Sequence, residues 1–138
     1  MSATSTSTSP AATGLTRVVR YVLLGLLTLV LLVTGGAKVL MADFMMANMA
    51  EVHAGPVATV VIGVVELVAA AGLWLRRYRT LALAVFLLIL AGATGVHWGF
   101  GHATGKVLAP AAIALLAFGA LWLDRGRALW DFVLPARA

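Results

Sequence analysis

Residues 56–75 read PVATVVIGVVELVAAAGLWL, a run of 20 with one charge, Glu66, near its centre. Proline opens the run, where a helix loses nothing from its missing N–H. At about 1.5 Å per residue, such a helix crosses the ~30 Å hydrocarbon core of a bilayer. Similar runs lie on either side. Residues 18–40 follow Arg17 and carry YVLLGLLTLVLLV, residues 80–98 read TLALAVFLLILAGATGVHW, and residues 107–123 read VLAPAAIALLAFGALWL. Pro110 falls early in the last run, where it tilts a helix without forbidding it. The expected fold is an all-α membrane protein with four transmembrane helices.

The composition agrees with lipid as the main solvent. Of 138 residues, 62% are hydrophobic and 11% charged, against about 25% charged in soluble domains. The chain has no cysteine, which removes disulfides, thiolate zinc sites, cysteine-ligated iron–sulfur clusters and thiol nucleophiles. The net charge of +5 is scattered at the ends of the apolar runs, so it reads as a topology signal and not as a nucleic-acid footprint. Short loops force the spans to run up and down as an antiparallel bundle. Arg17, Arg20, Arg76, Arg77, Arg79, Arg125, Arg127 and Arg137 then collect on one side, with only Lys38 and Lys106 on the other. The positive-inside rule makes the arginine side, and both termini, cytoplasmic in a plasma membrane. Trp74, Trp98 and Trp122 fall at span ends, where indole rings anchor at the headgroups.

Outside the spans, residues 1–16 are rich in Ser and Thr and are expected to be a disordered tail. The domain is 17–123, and 124–138 is a charged cytoplasmic tail with Trp130 and Phe132 at the surface. A basic flank before an apolar run also describes a signal peptide, with Gly35-Gly36-Ala37 as a cleavage site. The run exceeds a usual signal h-region and is read as a retained span. Residues 41–55, MADFMMANMAEVHAG, predict a short interfacial helix. Gly95 and Gly99, with Ala91 one turn earlier, make a GxxxG face expected to touch another helix of the same chain.

Glu66 is the first residue to explain, because an ionisable group deep in a bilayer costs a few kcal/mol or more and seldom faces lipid. Counting the helix rise puts it about 15 Å above the arginine side, with Lys38 and His97 near 27 Å. Helical side chains lean toward their own N-terminus, so Lys38 and His97 lean inward and Glu66 outward. Convergence is expected, across a gap of ~12 Å that calls for tilt, a water or a small bound molecule. The functional reading is a polar pocket, open toward the extracytoplasmic face, in which Glu66 carries a proton and Lys38 or His97 meets an oxygen of a lipophilic ligand such as a quinone. The purely structural reading has Glu66 neutral and hydrogen-bonded, Lys38 snorkelling and His97 interfacial.

Met41, Met45, Met49 and His53 recur every four residues, a soft donor set suited to Cu(I) if one helix carries all of them. Methionine is also a common gap-filler, and the segment is a poor metal scaffold. His53, His97 and His102 share a side but have no zinc-type spacing. The sequence contains no phosphate loop, Ser/His/Asp set or paired carboxylate within a span.

Gly35 with Lys38 in TGGAKVL, Gly63 with Glu66 in GVVELVAAAG, and His97 at the end of the third span together resemble the DoxX-like family over residues 17–123. The resemblance implies a four-helix integral membrane protein. Some members are subunits of sulfur-compound:quinone oxidoreductases or take part in oxidant and thiol defence. It points to an accessory subunit offering a quinone or lipophilic-ligand pocket to a redox partner, not to a stand-alone enzyme. A scaffold recruiting a soluble protein and a small proton-coupled transporter are the alternatives.

Overall fold

The computed structural model describes residues 10–133, with side chains described over 14–124. Among these residues there are five helices and no strand: α1 (Pro10–Val39), α2 (Asp43–Ala50), α3 (Pro56–Trp74), α4 (Arg79–Gly99) and α5 (Thr104–Val133). All but α2 are long and apolar enough to cross a membrane. The chain is a multi-pass helical membrane protein.

Two helices extend further than their apolar runs. Residues 10–16 were expected in a disordered tail but lie in α1. Once an apolar span is helical, each further residue adds a hydrogen bond without a new nucleation cost. Residues 1–9 lie outside the described residues. α5 continues past Leu123 to Val133. The side chains of Trp130 and Phe132 lie outside the described residues, as do those of Arg125, Arg127 and Arg137.

The connections follow from local chemistry. Asp43 opens α2, favourable at a helix N-terminus. Met41 (φ 52°) and His53 (φ 57°) are left-handed on either side of it. Non-glycine residues seldom adopt that conformation, so both mark sharp changes of direction. Gly55 and Pro56 then start α3. Extended Leu75 ends it before the basic turn, and Gly101 (φ 65°) turns the chain from α4 into α5.

Each long helix packs on the next, and α5 closes back on α1. The core consists of Leu24, Leu27 and Leu31 of α1, Ala69, Ala70 and Leu73 of α3, Ala82, Leu83, Phe86 and Leu90 of α4, and Ala117 and Ala120 of α5. Alanines on α3 and α5 let the backbones approach, the usual basis of helix association in lipid. The outward faces stay apolar, with Leu88 73% and Leu115 74% exposed, because hydrocarbon surrounds them. Gly95 and Gly99 lie on such a face: a Cβ added at either would meet nothing within 4 Å. The expected contact within the chain is absent there. α4 turns Leu83, Phe86 and Leu90 inward, and this rotates its small-residue stripe outward.

Candidate functional site

The inward seam of α1 runs Leu24, Leu27, Leu31, Gly35, Lys38, and that of α3 runs Thr59, Gly63, Glu66, Ala70, Leu73, all of them buried. Steps of three and four residues keep each seam on one face. Lys38 and Glu66 therefore occupy core positions, although both carry ionisable groups.

Two glycines bring them together. A Cβ on Gly63 would lie 2.8 Å from the Gly35 carbonyl oxygen and 2.8 Å from Lys38 Cβ. One on Gly35 would lie 3.0 Å from Glu66 Cβ and 3.0 Å from the Gly63 carbonyl oxygen. The antiparallel helices thus set Gly35 beside Glu66 and Gly63 beside Lys38. Three residues of rise separate the two charged positions, about 4.5 Å. The wider gap expected from counting each span from its basic flank assumed that all flanks lie at one depth. The glycine crossing sets a different register.

Lys38 Nζ donates to Glu66 Oε1 at 2.7 Å and to Oε2 at 2.9 Å. Thr34 Oγ1 lies 2.9 Å from Oε2 and also 2.9 Å from the Val30 carbonyl oxygen. A hydroxyl has one proton and two lone pairs. It can donate to an ionised Glu66, or donate to Val30 and accept from a protonated Glu66. Thr34, which sequence reasoning missed, makes the carboxyl compatible with either state. Two of the three ammonium protons of Lys38 go to Glu66. Burial is nearly complete, with 8% of Lys38 and 3% of Glu66 exposed. Such pairs recover little more than their desolvation cost, so stability alone is a weak reason to keep one.

His97 does not join this pair. Its Nδ1 lies 2.7 Å from His102 Nδ1, so one ring must carry the proton and the other accept it. The two bases were expected to converge on Glu66 because they share a height, but height leaves rotation about the helix axis undetermined. His102 stacks on Phe100, which meets His53 edge-on. Lys106 donates to Glu51 in the same region, and that hydrogen bond holds the Glu51 carboxyl below its ordinary value. Of the candidate soft donors, only Met45 and Met49 share α2, because Met41 and His53 lie beyond its ends. Among the described residues no group of three His, Cys, Asp or Glu side chains is placed to hold a metal ion.

The opposite end holds a second polar cluster. Arg79, 8% exposed, donates from Nε to the Leu73 carbonyl oxygen at 2.7 Å and from a terminal nitrogen to Asp124 Oδ1 at 3.1 Å. Arg20 approaches the same Asp124 oxygen at 3.6 Å. The start of the first span and the end of the last therefore lie at one end of the bundle. Arg79 had been read only as a topology signal. The clue to more was Asp124, an acid placed among arginines at a span end.

A family model described as DoxX-like family matches residues 22–120. No curated protein and no solved structure matches the chain. The matched stretch contains both glycines of the crossing, Thr34, Lys38, Glu66 and His97, and it covers well over half of the sequence; the chain belongs to the DoxX-like family.

Proposed function

We propose that this protein is an accessory membrane subunit that holds the polar head of a quinone, or of a similar lipophilic carbonyl compound, at Lys38 and Glu66 for a redox partner. The observation that carries the reading is the buried pair itself: an ammonium with one proton not committed to Glu66, beside a carboxyl with hydrogen-bond partners in either protonation state. The free ammonium proton suits a carbonyl oxygen. Glu66 suits the delivery or uptake of a proton at that oxygen, with Thr34 reversing its bond as the charge changes. A bound quinone supplies the electron-accepting chemistry, and the partner supplies the electrons. Without a thiol or a metal-binding motif in the sequence, nothing in this reading makes the subunit a stand-alone enzyme. The same reading places the arginine end in the cytoplasm and the bundle in the plasma membrane.

Extraction of the detergent-purified protein for bound quinone is the test. A stoichiometric quinone in the wild type that is lost in Glu66→Gln, compared at matched folding, supports the pocket. A fully formed internal ion pair also suits a scaffold in which Lys38 and Glu66 only fix the register of α1 on α3. Equal quinone in both proteins, or none in either, favours that second reading.

A further inference from the structure

Arg20 and Arg79 share one carboxylate, and the sharing is unequal. Arg79 holds Asp124 Oδ1 at 3.1 Å, while Arg20 stands at 3.6 Å, too far for a hydrogen bond. The Arg20 Nε is buried with no hydrogen-bond partner. Among the described side chains, two guanidiniums meet one carboxylate at this partly dried helix junction. The Arg20 side chain is 28% exposed, so part of it faces outward. Its guanidinium lies 5.2 Å from the Tyr21 ring, whose aromatic face limits where it can swing. Arg17 stands one turn earlier on α1 and is exposed.

We propose that Arg20, backed by Arg79, seats one phosphate-type oxyanion at the arginine end of the bundle, carried by the headgroup of an anionic phospholipid. The chemistry fits. Guanidinium edges match phosphate oxygens, and charge-assisted bonds of this kind are about twice as strong as neutral ones. A phosphate supplies an acceptor to the outward part of the Arg20 guanidinium, which Asp124 at 3.6 Å does not hydrogen-bond. Basic sites between helix ends at this level of a membrane protein lie within reach of lipid headgroups. The site is separate from the Lys38–Glu66 pair and does not depend on its function.

The test measures thermal unfolding of the full chain in nanodiscs of phosphatidylcholine, with phosphatidylglycerol added in one arm and inorganic phosphate in the other. Phosphatidylglycerol is expected to raise the unfolding temperature. Arg20→Gln is expected to weaken its apparent binding by at least about tenfold. Asp124→Asn, which removes the competing carboxylate, is expected to strengthen it, an effect that a merely structural Asp124 would not produce. A shift with inorganic phosphate alone, lost in Arg20→Gln, upholds the seat and names a soluble source for its anion. No shift in either arm, or one of the same size in Arg20→Gln, overturns the proposal.

Discussion

Gly63 has the least room for a side chain of the described glycines, and its replacement separates a packing account from a composition account. Gly63→Ala puts a methyl 2.8 Å from both the Gly35 carbonyl oxygen and Lys38 Cβ, so α1 and α3 must part. A loss of about 1–3 kcal/mol is expected for such overpacking. Gly95→Ala meets open space and should be neutral, or gain up to about 1 kcal/mol from helix propensity. Reversible unfolding in detergent checks both, and equal losses would mean that the crossing is not tight. The ion pair gives a second contrast. Glu66→Gln leaves a buried ammonium without its counter-charge, at an expected cost of about 3–5 kcal/mol, whereas Lys38→Met with Glu66→Leu removes both charges and should be neutral or stabilising. If the double variant unfolds as easily as the single one, the pair is needed for the fold. Glu66 was legible in the sequence because its burial cost is large wherever it points. Its partner was legible as a residue but not as a direct contact. The matching signal lay in Gly35-x-x-Lys38 and Gly63-x-x-Glu66, the same spacing on two helices that cross antiparallel.

Among the elements, α2 and the start of α5 are tied by Glu51 and Lys106. The Lys106 hydrogen bond lowers the Glu51 carboxyl below 4.5. The stabilisation from this bond is therefore complete above that pH and is lost as pH falls through the lowered value. In Lys106→Met the Glu51 titration, followed by carboxyl-carbon NMR, is expected to move back up toward 4.5; an unmoved titration would mean that the bond does not form in solution. The spans could be read from hydropathy alone, because lipid demands continuous apolar helix. The GxxxG of α4 misled for a related reason: the pattern permits close approach without requiring it. Bulky Leu83, Phe86 and Leu90 decide which face of α4 goes inward. The rotation that separates His97 from Glu66 is equally invisible to a count along the helix axis.

The whole molecule is a ring of four spans with an arginine-rich end and an end that holds Glu51, Lys106 and the histidines. Because the chain lacks cysteine, single introduced thiols report the sidedness of each end cleanly. Arg77→Cys is expected to react with an impermeant maleimide only from the cytoplasm, and Ala103→Cys only from outside. The reverse pattern would invert the topology proposed for the bundle. The central claim is that Lys38 and Glu66 are retained for a ligand more than for the fold. Lys38→Met with Glu66→Leu tests it most directly, by quinone binding to the purified protein at matched folding. The account predicts a double variant that is as stable as the wild type and binds no quinone. A double variant that binds quinone like the wild type would contradict it.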